Sequence, residues 1–335
     1  MQIKSDVYKY LTAFTKKKRV VRIPNRLMRK QKWQEEQDRK LTPNSVCIVC
    51  NFSYRAKKRG WSNNIKAICH PFREEYLSIF PKNIRLELLS ESDYLDPIWM
   101  DGMSLCHSNS YKYDFFCFTI DKGQGVKCKG MYLLPLISRI AQELNMKGLI
   151  LDYFGTVPKP NNVINGSTDW VVLQVRKELS RFKSIDIIRG VKSQKEISFY
   201  MSQCKYVIFP NTKDASPRTI PESILRGKPV LMNKNIWGGW KYVTETNGCF
   251  FDGAESYQEI KENEDYYYNE IKDKMLYMKE VNFNSDNIRD EFLANYGFLK
   301  TAKRMAKIIN RAEGSNKYRY VAYKEFGDIM QRHCK

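Results

Sequence analysis

The chain of 335 residues contains no run of about eighteen apolar residues, so nothing in it reads as a transmembrane helix. Its first residues, MQIKSDVYKYLTAFTKKKR, lack an uninterrupted apolar stretch followed by small residues, which argues against a secretory leader. Histidine is scarce, with three in all, and no His-x-x-x-His pair occurs. Cys47-Ile-Val-Cys50 has the spacing of half a zinc site, but no second Cys-x-x-Cys completes a tetrahedral set. SVCIVCNF reads instead as a strand, in which positions three apart face opposite ways. The nine cysteines are odd in number and scattered, several inside apolar runs. They fit reduced, buried thiols of a cytoplasmic protein and not a disulfide framework. No internal repeat and no RRM, KH or zinc-finger signature is present.

What is abundant is positive charge. Lys and Arg number 57 against 37 Asp and Glu, a formal net charge of +20. Residues 1–42 hold thirteen basic and four acidic residues, a net +9 in an eighth of the chain. Such a segment suits an anionic membrane surface, nucleic acid or an acidic polymer. Tyr8, Tyr10, Leu11, Phe14 and Trp33 lie among its charges, as in an amphipathic surface helix; a solvated basic arm is the plainer reading.

From residue 113 onward short apolar runs alternate with helical patterns. Strands are expected over 113–120, 148–154, SIDIIRG, 205–210, PVLMN and CFFDG. Between them, MYLLPLISRIAQELNM, DWVVLQVRKELSRF, QKEISFYMSQC and TIPESILRG carry helical spacing. This alternation predicts an α/β fold with a parallel, doubly wound sheet, whose ligands bind at the carboxyl ends of the strands. Residues 43–112 read as a smaller α/β region, with strands in SVCIVCNFSYR and KNIRLELLS and a helix in HPFREEYLSIF. Residues 255–312 read as trailing helices and 313–335 as a tail.

The richest stretch is YVIFPNTKDASPRTIPESILRGKPVLMNKNIWGGWKYV, residues 206–243. A strand ends at Pro210, a polar loop brings Asp214, and a helix begins near Thr219 with Glu222 in its first turn. Free amides at a helix start bind phosphate, and Gly238-Gly239 lets backbone approach a ligand. The structural alternative is equally open on these residues alone. Thr219-Ile-Pro-Glu222 has capping-box spacing, and Asp214 can close an Asx-turn.

This stretch resembles the donor-site signature of retaining glycosyltransferases of the GT-B fold, especially family 4. There a strand ends in Pro-Ser, and Glu-x7-Glu runs into Glu-Ala-Met-x-x-Gly-x-Pro-Val and a Gly-Gly loop. Here Asp214, seven residues and Glu222 keep the carboxylate spacing. Glu222-Ser-Ile-Leu-Arg-Gly227-Lys-Pro229-Val230 and Gly238-Gly239 follow in order, and Lys129-Gly130 resembles the Lys-Gly opening the family's first donor-domain helix. The likeness spans about 113–300.

The resemblance implies a GT-B-like architecture: a basic arm at 1–42, an acceptor-side region at 43–112, a nucleotide-sugar domain at 113–312 and a tail at 313–335. It implies transfer of a sugar from a nucleotide sugar to a glycan, protein or lipid-linked acceptor, with retention. Glu222 would hold the ribose, and Asp214 would stand beside the transferred sugar. Amides at Ser216, Arg218 and Thr219, with Gly130, Gly238 and Gly239, would line the donor. Lys129 would neutralise the diphosphate, and Lys122 or Lys127 would take the place of the family's Arg. No cofactor or metal is expected, since no Asp-x-Asp or His cluster lies near. The expected location is cytoplasmic, with residues 1–40 offering a peripheral contact to an anionic membrane or polyanion. Two rivals stand beside this reading: a basic nucleic-acid-binding protein on a Rossmann-like fold, and a catalytically inactive GT-B scaffold.

Overall fold

The computed structural model of the chain describes residues 20–21, 46–50, 65–80, 82, 84–97, 104–106, 110–119, 128–152, 168–190, 192–214 and 217–314. They divide into two compact units, one drawn from residues 1–95 and 295–335, the other from 96–294.

The second unit is the larger and is built on six strands: β5 (Tyr113–Thr119), β6 (Gly148–Asp152), β7 (Ile185–Arg189), β8 (Cys204–Phe209), β9 (Val230–Asn233) and β10 (Gly248–Phe251). Every pairing is parallel, in the order β10-β9-β8-β5-β6-β7. Counted from the first strand of the unit, this is 3-2-1-4-5-6, the doubly wound dinucleotide-binding order. The central strands are covered on both faces: Phe115, Phe116, Cys117, Val207, Ile208 and Phe209 are fully buried. That explains their near-continuous apolar runs, since a one-sided strand would alternate.

The connecting helices follow their sequence patterns closely. Helix α1 (Leu134–Glu143) buries Leu134, Leu136, Ile137, Ile140 and Ala141, while Arg139 faces out to pair with Glu264. Helix α2 is Thr168–Leu179. Helix α3 (Gln194–Ser202) opens with a capping box. Ser193 Oγ accepts from the Glu196 amide at 3.2 Å, and Glu196 Oε2 accepts from the Ser193 amide at 2.8 Å. Helix α4 (Thr219–Leu225) stops at Gly227, whose φ of +73° is left-handed. The Gly227 and Lys228 amides close on Ile224 and Ser223 carbonyls, a Schellman end that turns the chain straight into β9. Helices α5 (Tyr257–Glu262), α6 (Glu264–Glu280) and α7 (Ser285–Asn295) complete the unit.

The first unit carries a four-stranded parallel sheet, β1 (Val20–Val21), β2 (Val46–Cys50), β3 (Ile65–His70) and β4 (Arg85–Leu88), in that order. It differs from the sequence expectation in three ways. Residues 65–70 form a strand that the pattern reading passed over, because Lys66 breaks the apolar run and Pro71 follows at once. HPFREEYLSIF holds only a six-residue 3-10 turn, Glu74–Ile79, closed by an extended Phe80 before Pro81. Residues 1–42 are not solely an arm, since Val20–Val21 pairs in parallel with β2. Cys47 and Cys50 both lie on β2, as the strand reading of that segment requires. His70 is buried in an aromatic cluster with Phe72 and Phe80.

The last helix, α8 (Phe298–Glu313), belongs to this first unit, whereas the sequence expectation groups it with the nucleotide-sugar domain. The physical reason is its apolar face. Met305 and Ile308 pack with Ala67 and Cys69 of β3 and with Leu89, so the helix covers a sheet that is distant in sequence. Thr301, fully buried, donates its hydroxyl to the Asp93 carbonyl at 2.7 Å, beside the Gly297 amide at 3.0 Å.

Thr301→Val keeps the shape and removes that donor. It should lower the stability of the unit by about 1 kcal/mol, the usual worth of such a bond. Denaturant titration, with hydrogen exchange of residues 298–308, reads the loss; an unchanged midpoint would show that the bond does not hold the helix.

Candidate functional site

The paired residues of strands β5 and β8 are 91 apart in sequence yet lie side by side, and the strand order reverses between them. Connections from neighbouring strands leave in opposite directions at such a point, opening a crevice at their carboxyl ends. The segment at Cys128–Gly130 follows β5, and Pro210–Asp214 follows β8.

Main-chain bonds tie three loops together there. The Thr212 amide donates to the Cys128 carbonyl at 3.1 Å. From the loop after β9, the Trp237 amide donates to the Thr212 carbonyl and the Gly238 amide to the Asp214 carbonyl, both at 2.9 Å. Lys129, Asp214 and Gly238 therefore converge on one sheet edge. Tyr132 braces the junction from the start of the helix layer. Its hydroxyl donates to the Ala254 carbonyl at 3.1 Å and lies 3.4 Å from Thr212 Oγ1. Burial pushes this phenol far above its ordinary range, so it stays a donor.

Two glycines are steric necessities. Gly130 has φ +60°, and a Cβ there would sit 1.8 Å from the Pro210 carbonyl oxygen. It lets the Lys129 loop pass directly over the end of β8. Gly239 has φ +86°, and its Cβ would meet Pro217 Cγ at 2.5 Å. The Gly238-Gly239 pair thus shapes the loop against the start of α4, and the Gly238 N–H is committed to Asp214.

The charged groups sit in pairs. Lys129 Nζ forms an ion pair with Asp214 Oδ2, which also accepts from Asn211 Nδ2 at 3.0 Å. Both side chains of the pair are mostly buried, at 25% and 14% exposure, so water screens them only in part. Arg218 Nε donates to Glu222 Oε1, and Lys213 Nζ lies 3.2 Å from Glu255 Oε2. Glu222 is buried, at 4% exposure. The capping-box alternative is not realised. Arg218, not Thr219, stands at the N-cap, with no side-chain cap bond, and Thr219 is the first helical residue.

Arg226 is the residue that sequence reasoning missed. It is wholly buried, donating to the Glu222 carbonyl at 2.9 Å, Ser198 Oγ at 2.7 Å and Gln194 Oε1 at 2.6 Å. It thereby ties the helix bearing Glu222 to α3. It occupies an unspecified position of the signature, so only its charge inside an apolar helix could have drawn notice. Tyr132 likewise carries no motif of its own, and Asn211 is marked only as the end of the strand, where the family has Pro-Ser. Lys122, Lys127 and Ser216 lie outside the described residues. Among the described residues no three His, Cys, Asp or Glu side chains gather as a metal cage, and no helix is long and apolar enough to cross a membrane.

No protein-family model matches the chain, and no curated protein sequence matches it. Solved structures do. The lipopolysaccharide outer core galactosyltransferase WaaB, in its apo form, superposes with a TM-score of 0.60 at 11% identity, over 92% of this chain and 80% of that one. Sucrose-phosphate synthase from Thermosynechococcus elongatus gives 0.54 at 12% identity, over 83% and 70%. Anabaena HepE, solved in complex with UDP and glucose, gives 0.52 at 11% identity, over 84% and 76%. The fold is α/β with parallel sheets, that of GT-B glycosyltransferases.

Gly130→Ala tests the packing at the heart of the site. The left-handed backbone and the collision with Pro210 should together cost about 2–4 kcal/mol. A thermal unfolding scan should show the drop, while Gly190→Ala, with nothing within 4 Å of its Cβ, loses only the strain of its φ. Equal losses in both would mean that Gly130 serves backbone conformation alone.

Proposed function

We propose that the chain is a glycosyltransferase that moves a sugar from a nucleotide sugar to an acceptor, with retention and without a metal. The observation that carries this is the Lys129–Asp214 pair, set at the point where the sheet order reverses. One cation and one carboxylate held there match what the reaction demands. As the bond from the anomeric carbon to the diphosphate breaks, its electron pair leaves with the phosphate oxygen and the sugar carbon gains positive character. An ammonium carries three N–H donors, and Asp214 takes one from Lys129. The others are available to phosphate oxygens, so Lys129 meets the leaving charge without releasing Asp214. Asp214 faces the developing oxocarbenium. The acceptor oxygen bonds to the anomeric carbon and yields its proton to the departing diphosphate.

Glu222 would accept the ribose hydroxyls, with its main chain pinned by Arg226 and its carboxylate oriented by Arg218. Amides of Ser216, Arg218 and Thr219 would line the diphosphate or sugar, and Lys122 or Lys127 would add a second cation. The HepE structure with UDP and glucose supports a uridine diphosphate sugar as the first donor to try. Residues 1–40 would hold the protein against an anionic surface where a lipid-linked or polymeric acceptor is presented.

Calorimetry with UDP, GDP and ADP identifies the nucleotide. Glu222→Ala should then weaken it by roughly 10- to 150-fold, the worth of a charged hydrogen bond. Asp214→Asn should leave donor affinity nearly unchanged and lower turnover by about two to three powers of ten, because its charge acts in the transition state. Turnover should survive EDTA. Undiminished turnover in Asp214→Asn removes that residue from the mechanism, and abolition by chelator overturns the metal-independent assignment.

A further inference from the structure

The positive charge of the chain is divided very unequally. Residues 1–95 and 295–335, which make up the first unit, hold 31 basic and 12 acidic residues, a net +19. Residues 96–294 hold 26 basic and 25 acidic, a net +1. The 96–294 unit is close to neutral, and nearly the whole excess lies on the other.

Helix α8 gives part of that excess a defined surface. Lys300, Lys303, Arg304, Lys307 and Arg311 are all exposed. At 3.6 residues per turn they fall within an arc of about 100° along one face. The opposite face holds Phe298, Thr301, Met305 and Ile308, all buried. The stripe runs about 16 Å, eleven residues at 1.5 Å each. Arg304 is braced by a bond to the Leu88 carbonyl at 3.0 Å, and Arg311 Nη1 lies 3.9 Å from Glu87 Oε1. The one acid within the helix itself is Glu313, in its last turn. Leu299 is exposed beside Lys300, an apolar tip at the edge of the stripe.

We infer that this face of α8 is a docking surface for the headgroups of an anionic phospholipid membrane. A straight row of cations on a rigid helix fits a flat sheet of phosphate charge, and each lysine near such a surface strengthens binding several-fold. Leu299 suits the boundary between headgroup and acyl chain. A single-stranded nucleic acid would call for aromatic platforms, and among the described residues of this unit no large aromatic side chain is exposed. The stripe lies outside residues 1–40 in the sequence, and the inference is independent of the glycosyltransferase reading.

The test uses the full chain and co-sedimentation with vesicles of phosphatidylglycerol and phosphatidylcholine in equal parts. Lys300→Gln, Lys303→Gln and Lys307→Gln are combined in one variant. Lys147→Gln, Lys183→Gln and Lys261→Gln, exposed on the other unit, are combined in a second that loses the same charge. The stripe variant should bind about 10- to 100-fold more weakly and the control less than about threefold, with phosphatidylcholine alone binding neither. The single Lys307→Glu variant serves if the triple one unfolds early, and should weaken binding in the same direction. Equal losses in both triple variants, or unchanged vesicle binding by the stripe variant, would overturn the assignment. So would loss of polyuridylate binding with vesicle binding intact, which would make the partner an RNA.

Discussion

The pairing of β5 with β8 is the contact on which the site depends. Tyr113, Phe115, Phe116 and Cys117 lie in register with Cys204, Tyr206, Val207 and Ile208. Those side chains are buried on both faces, each worth about 1.5–3 kcal/mol when fully removed from water for the larger apolar ones. The apolar burial that assembles the sheet is therefore also what brings the ends of two distant strands together. Lys129 and Asp214 meet because this register sets the ends of the two strands side by side, and the close packing of large side chains on both faces holds it.

Around that pairing the site is rigid by construction. Gly130 crosses the end of β8 at a distance that no side chain permits, and main-chain bonds tie its loop to those of Thr212 and Gly238. Arg226 fastens α4 from below through a buried guanidinium with three bonds. A buried cation with its hydrogen bonds made resists rearrangement, because withdrawing a partner leaves a charged donor unsatisfied in the interior. The carboxylates are thus presented from an ordered frame, the condition under which fixed charges act on a reaction without paying reorganisation.

The division of charge gives the two units different physical characters. The 96–294 unit balances its basic and acidic residues and pairs the cations of its site one by one, Lys129 with Asp214, Lys213 with Glu255 and Arg218 with Glu222. The other unit holds the excess, and five of its cations stand exposed along α8, where long-range attraction to an anionic partner is strongest at low salt and fades over roughly 10 Å.

How much was legible beforehand follows from the range of each interaction. The alternation of apolar strands with amphipathic helices after residue 113 is local, and all six strands and their helices stand where the pattern places them. The spacing of Asp214, Glu222, Gly227 and the glycine pair was equally visible, because one connection and one short helix carry it. The strand at 65–70 escaped because six residues with a lysine among them have no distinctive period. Helix α8 showed its amphipathic face plainly, but not the sheet it would cover. By itself the sequence determined the fold class, the carboxylate spacing and the excess of positive charge. Only the tertiary structure decided that Lys129 pairs with Asp214, that Arg226 holds the helix of Glu222, that Glu222 binds Arg218 and does not cap its own helix, and that α8 joins the basic unit. Each of these is a contact between residues whose partner is chosen by packing, and packing is a property of the assembled core, not of any stretch of chain.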